Sequence, residues 1–162
     1  MIPRSEITLR GALPEDAPTI AEIWYHGWRD GHLGHVSQEL IELRHEDSFR
    51  TRTAQRVNDT TVAVVQGQIA GFVMVVDNEV EQLYVSALHR GEGVADMLMA
   101  DAERRIKDAG YSTTWLAVVA GNARARRFYE RCGWSDRGLF EYAAAGEHGP
   151  IPVPSHRYVK DL

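Results

Sequence analysis

In the run Arg90-Gly91-Glu92-Gly93-Val94-Ala95, two glycines separate a strand-like apolar segment, Leu83-Tyr84-Val85, from a helical pattern that extends from Val94 to Ala109. A chain that leaves a strand through such a turn and enters a helix at once must lay that helix back on its sheet. Glycine opens backbone conformations closed to other residues and lets a ligand approach the main chain. The first amides of the helix have no intrahelical partner and carry partial positive charge, so the turn suits an anion such as a pyrophosphate without any basic side chain. The same residues also make an ordinary tight turn, and the rest of the chain must decide. A dinucleotide fingerprint needs a third glycine and a Walker loop needs Gly-Lys-Ser/Thr; neither occurs here.

The 162 residues suffice for one domain, expected to span 1–162, and 44% hydrophobic with 25% charged residues is ordinary globular composition. No repeat, low-complexity stretch or linker divides the sequence. Ile7 to Arg10 reads as a first strand, and Pro14-Glu15-Asp16 opens a helix carrying Ile20, Ile23 and Trp24 on one face. A glycine-broken segment from Gly27 to Gly34 follows, then one helical region from Gln38 to about Arg56. Thr60 to Val65 and Ile69 to Val76 predict a hairpin across Gln66-Gly67-Gln68, and Val80 to Val85 a further strand turned at Asp77-Asn78. After the glycine turn and its helix come a strand at Thr114 to Val119, a short helix from Asn122 to Arg131, and strands near Trp134 to Tyr142 and Val153 to Lys160. Hairpins first and strand-helix alternation later imply an α/β (α+β) architecture: a mixed sheet with helices on its faces.

The Arg-x-x-Gly-x-Ala spacing of Arg90, Gly93 and Ala95 resembles the acyl-coenzyme A loop of the GCN5-related N-acetyltransferase (GNAT) family. The stretch from Asn122 through Phe128-Tyr129 to Gly133-Trp134 is similar to that family's second coenzyme-side motif. The resemblance runs from Ile7 to Leu162 and implies the GNAT-type acyl-CoA N-acyltransferase fold, with a mixed, largely antiparallel central sheet. It implies acetyl-CoA as co-substrate and transfer of an acetyl group to a primary amine by direct transfer in a ternary complex. On that likeness Arg90, Gly91, Glu92, Gly93, Val94, Ala95 and Asp96 cradle the pyrophosphate. Backbone groups of Leu83, Tyr84 and Val85 meet the thioester and pantetheine arm, Asn122 anchors the pantetheine side, and Tyr129 protonates the leaving thiolate.

Read without the family, Asn122 is a helix N-cap, Gly133 a helix stop and Phe128 a core residue, which leaves Tyr129 unexplained. An ammonium must lose a proton before it can attack, and Glu79 and Glu81 are the candidate acceptors of it. Paired acids on a strand also serve simply to keep it soluble. Strict alternation sets Glu79, Glu81, Leu83 and Val85 on one face and Val80, Gln82 and Tyr84 on the other, unless a bulge intervenes. Two departures from the family pattern stand out: Glu92 lies between the glycines and Asp96 in the first helical turn, where a pyrophosphate needs positive charge. Arg90, Arg124, Arg126 and Arg127 are the cations available to compensate.

Trp24, Tyr25, His26 and Trp28 gather beside Gly27, either as core or as a frame for an amine. His32 and His35 lack a third ligand, so no metal is expected. Cys132 precedes Gly133 at a helix end, where the dipole disfavours a thiolate, and a nucleophilic role is not expected. The formal charge of -5 argues against a nucleic-acid partner and for a cationic one, a small-molecule amine. A protein lysine or N-terminal acetyltransferase, and a non-catalytic acyl-CoA sensor, are the alternatives. No apolar run has membrane-spanning length, and Met1-Ile2-Pro3-Arg4 shows no signal pattern, so no membrane association and a cytoplasmic location are expected. Edge strands near the C-terminus leave a homodimer open.

Overall fold

Seven strands form one sheet in the order β1-β2-β3-β4-β5-β7-β6 in a computed structural model that describes Pro3 and residues 6–162. Met1, Ile2 and Arg4, read above for a signal segment, lie outside the described residues. The strands are β1 (Ile7–Gly11), β2 (Thr60–Val65), β3 (Gln68–Val76), β4 (Glu79–Val85), β5 (Thr113–Val119), β6 (Ser135–Ala144) and β7 (Ile151–Asp161). The helices are α1 (Ala17–His32), α2 (Gln38–Leu43), α3 (Glu46–Arg56), α4 (Val94–Asp108) and α5 (Ala123–Arg131). All neighbouring strands pair antiparallel except β4 and β5. This is the mixed, largely antiparallel sheet that the sequence implied.

Turn chemistry fixes the first hairpins. Gln66 and Gly67 both take positive φ (50° and 77°), the mirror-image turn whose twist matches the strands it joins, and Asp77 does the same at φ 53° before Asn78. Apolar side chains then bury on both faces of the sheet. On one side Val73, Val80, Leu98, Met99, Ile106, Leu116 and Tyr158 pack beneath α4; on the other Ile20, Trp24, Trp28, Phe49, Phe72 and Met74 pack beneath α1 and α3. Trp24 and Trp28 are therefore core residues, with Trp24 1% exposed.

Two expectations are corrected. The segment from Gly27 to Gly34 is not broken: α1 runs through Gly27 and Gly31 to His32. These glycines serve close packing, since a Cβ on Gly27 would lie 2.4 Å from Tyr84 Cδ1 and one on Gly31 2.7 Å from Asn122 Nδ2. They let α1 lie directly over β4 and the start of α5. The helical region from Gln38 to Arg56 is two helices, with Ser37 capping the first through Leu40 N and the chain turning at Arg44 and His45.

Candidate functional site

Strands β4 and β5 meet at a single point. Glu79 pairs with Trp115, Trp115 N donates to Asn78 O at 3.1 Å, and beyond that point the two strands diverge. The opposite edge of β4 is fully paired with β3, and Ser86 N donates to Ala70 O at 2.8 Å. In an antiparallel ladder bonded and non-bonded pairs alternate. Counting back from Ser86, Tyr84 bonds toward β3, so the backbone N–H and C=O groups of Leu83 and Val85 turn toward the gap. The split between β4 and β5 thus exposes main-chain donors and acceptors along one wall of a cavity of about 710 Å³. Ala117, Val118 and Val119 of β5 form the facing wall.

A bulge re-aims the side chains of β4. Met74 pairs with Gln82 but Val75 with Val80, leaving Glu81 as the extra residue. The bulge that the sequence left open thus occurs here, and strict alternation does not hold across it. Val80, Leu83 and Val85 pack on the α4 side, while Tyr84 joins Phe72 on the α1 side. Glu79 and Glu81 line the cavity together with Tyr84.

The glycine turn closes one end. Gly91 and Gly93 have φ of 79° and 88°, the left-handed conformation, and Gly93 is the N-cap of α4 with no side chain over the first amides. Gly91, Gly93, Val94, Ala95 and Asp96 all line the cavity. Glu92 is tied back on itself by His89, whose Nδ1 lies 3.0 Å from its carboxylate. Arg90 donates to Asp30 of α1 at 2.8 Å, and Asp96 accepts a weak 3.9 Å contact from Cys132 Sγ. Arg124 and Arg131 line the same cavity, whereas Arg126 is engaged with Asp136, Tyr158 and Ala120 O, and Arg127 is not among the lining residues.

Asn122 caps α5, its Oδ1 accepting from Ala125 N at 3.2 Å, so only its Nδ2 remains beside Gly31 and the cavity. One turn further on, Tyr129 lies among Phe128, Trp134 and Tyr158, with centroid distances of 5.5, 6.4 and 5.9 Å. Its desolvated phenol is pushed well above the ordinary tyrosine value, which keeps it protonated and able to donate. It shares the cavity with Leu83, Val85 and Gly93. The thiol of Cys132 is pushed up by burial and by Asp96 and Glu103, so it is held as the unreactive thiol.

The opposite end of the cavity carries the titratable groups. Burial, reinforced by the neighbouring Glu81, pushes the Glu79 carboxyl up to about 7, against a 3.3 Å hydrogen bond from Tyr142 Oη that favours its charged form. Glu81 is held by Arg56, both guanidinium contacts at 3.3 Å. Tyr142 itself is pushed up to about 12 by burial and by the two glutamates. Its place on the distant strand β6 gave the sequence no signal. Two arginines also escaped the sequence reading. Arg44, 7% exposed, and Arg52, whose Nη1 is buried, both line this end. The spacing of Phe49, Arg52, Thr53 and Arg56 on one face of α3 was the available signal. His32 stacks on Trp28 at 4.6 Å and donates from Nδ1 to Trp28 O; burial pushes it down to about 4, so it is neutral. Among the described residues no three His, Cys, Asp or Glu side chains gather as metal ligands do, and no helix is long and apolar enough to cross a membrane.

A parallel pair split at one point, with a glycine turn and a helix N-terminus at the mouth of the split, defines the class of acyl-coenzyme A N-acyltransferase folds. Solved structures agree. A GCN5-related N-acetyltransferase from Rhodopseudomonas palustris superposes with a TM-score of 0.75 at 22% identity, covering 96% of this chain and 95% of that one. YncA of Salmonella typhimurium, solved with its cofactor acetyl-CoA, gives 0.70 at 18% identity over 96% and 94% of the two chains. In sequence, the chain is 34% identical over 110 residues to the streptothricin acetyltransferase of Streptomyces lavendulae, covering 59% of this chain and 58% of that enzyme. Residues 19–134 match the acetyltransferase (GNAT) family. The chain belongs to that family and is an N-acetyltransferase.

Proposed function

We propose that this protein moves an acetyl group from acetyl-CoA to the primary amine of a small molecule, directly and within a ternary complex. The observation that carries the reading is the pairing, in one cavity, of a carboxyl poised near neutrality at Glu79 with strand backbone at Leu83 and Val85 that faces the gap between β4 and β5. Acetyl-CoA, as co-substrate, supplies an activated acyl carbon. The amides of Gly91 to Asp96 at the start of α4 suit its pyrophosphate, with Arg90, Arg124 and Arg131 offsetting Asp96. Glu92, held by His89 at 3.0 Å, is not among the residues that line the cavity, which supports this.

Backbone N–H groups of Leu83 and Val85 stabilise negative charge as it develops on the carbonyl oxygen. The substrate ammonium gives a proton to Glu79, directly or through water, and its nitrogen then bonds to the acyl carbon as the C–S bond breaks. Tyr129 delivers its proton to the departing sulfur and regains one as the acylated nitrogen sheds its second proton, directly or through water, so that the products are the amide and the free thiol. Glu81, committed to Arg56, raises the basicity of Glu79 and is the weaker candidate for base. The streptothricin acetyltransferase likeness supports a small-molecule acceptor.

The test is a thiol-release assay with acetyl-CoA over amines, amino acids, aminoglycosides, polyamines and peptides. Thiol release that depends on a small amine supports the reading. Turnover of peptides alone favours a protein acetyltransferase, and coenzyme binding without turnover of any acceptor favours a sensor.

A further inference from the structure

We infer that the acceptor carries an anionic group as well as its amine, and that Arg52 and Arg44 form the site that receives it; this rests on the acetyltransferase reading above. Both guanidinium groups lie at the acceptor end of the cavity, away from the glycine turn. Neither has a carboxylate within ion-pair distance among the described residues. The nearby acids are already engaged, Glu81 with Arg56 and Glu79 with Tyr142.

Arg52 lies over Trp24, its Cζ 4.4 Å from the ring centroid, and its Nη1 is buried with no hydrogen-bond partner among the described residues. Arg44 is buried, and its guanidinium donates from Nη2 to the backbone carbonyl of Ala145 at 2.9 Å. Burial pushes Arg52 down to about 10, with Arg44 adding like-charge repulsion, and Arg44 is lowered by burial as well. A buried cation without a counter-charge is costly, and two together are costlier. Guanidinium forks match carboxylate and phosphate oxygens in bidentate geometry. The unmet donors therefore define the complement of an anion.

Seen as a whole, the acceptor end is bipolar. Glu79 and Glu81 on β4 face an ammonium, and Arg44 and Arg52 from the α2–α3 side face an anion. That layout selects a zwitterion over the purely cationic amine which the net charge of -5 suggests. Carboxylate and phosphonate share the required chemistry, and the experiment separates them.

Acceptors are assayed by thiol release in matched pairs: L-leucine with 3-methylbutylamine, L-phenylalanine with 2-phenylethylamine, and 2-aminoethylphosphonate with ethylamine. At least one anionic member is expected to exceed its uncharged partner by tenfold or more in kcat/KM, through KM. In Arg52→Met, which keeps an unbranched apolar side chain but removes the guanidinium that lies over Trp24, that ratio falls toward one, and Arg52→Lys restores part of it. Equal or better turnover of every uncharged member overturns the inference. So does a ratio that Arg52→Met leaves unchanged while both rates fall, the mark of a structural role.

Should no pair turn over, calorimetry with coenzyme A present reads the anion site alone, using N-acetyl-L-leucine, N-acetyl-L-phenylalanine and N-acetyl-2-aminoethylphosphonate. Binding that weakens tenfold in Arg52→Met upholds the anion site while the acetyl-transfer reading fails for these amines. No binding of any of the three overturns the site.

Discussion

Tyr142 donates its phenolic proton to Glu79 across 3.3 Å, joining the edge strand β6 to the one point where β4 touches β5. That bond favours the carboxylate, while burial and Glu81 favour the acid. A general base works only when deprotonated, so kcat/KM should rise with pH through a midpoint near 7. Tyr142→Phe removes the stabilising hydrogen bond, so the midpoint should move to higher pH. A pH profile of kcat/KM for both proteins checks this, and a midpoint unmoved by the substitution counts against Glu79 as the titrating base.

Stability should carry the same group with a definite sign. Because the folded value of about 7 lies above the ordinary 4.5, the stability associated with the protonated carboxyl is complete below about pH 4.5 and is lost as pH climbs through 7. Glu79→Gln cannot ionise. Its Tm should match the wild type at pH 4 and exceed it at pH 8, as read by thermal melts across that range.

Tyr129→Phe should lower kcat by about 10²-fold, the lower end of what a positioned proton donor contributes. Coenzyme A affinity, measured by calorimetry, should remain within about twofold, because the pyrophosphate contacts proposed at the start of α4 do not involve the phenol. A loss of affinity equal to the loss of rate would make Tyr129 a packing residue.

Gly27→Ala sets two effects against each other. Alanine gains up to about 1 kcal/mol of helix propensity, but its methyl would lie 2.4 Å from Tyr84 Cδ1, on a ring held against Phe72 at 5.9 Å. The clash should win, costing about 1–3 kcal/mol as other overpacked sites do. Urea unfolding measures the net effect.

Cys132→Ser should leave turnover within about twofold, since burial and the flanking acids hold the thiol protonated and the proposed route forms no acyl-enzyme. Mass spectrometry after acetyl-CoA treatment should find no acetyl group on Cys132.

Strands, turns and α4 were legible because they rest on local chemistry: alternating β-branched residues in Thr60 to Val65, a Gln66-Gly67 turn, and Gly93 before a helical period. Gly27 and Gly31 misled because the same residue that breaks a helix alone is the one that fits when Tyr84 and Asn122 press against it, and no local pattern tells these apart. The bulge at Glu81 escaped placement for a similar reason: its register is set by β3, not by β4's own residues. Arg44, Arg52 and Tyr142 reach the site from a helix cap, a helix face and an edge strand, and only tertiary folding brings them to Glu79.

The split between β4 and β5 turns main chain toward the gap, while the Leu83 and Val85 side chains belong to the packing under α4. On the proposed route, recognition there is written in the backbone, and the letters at those positions answer to another constraint. Apolar residues can be exchanged beneath α4 while the row of donors and acceptors along the gap persists. A lining of this kind is inherited as geometry, so drift in sequence along β4 need not be drift in what the gap can hold.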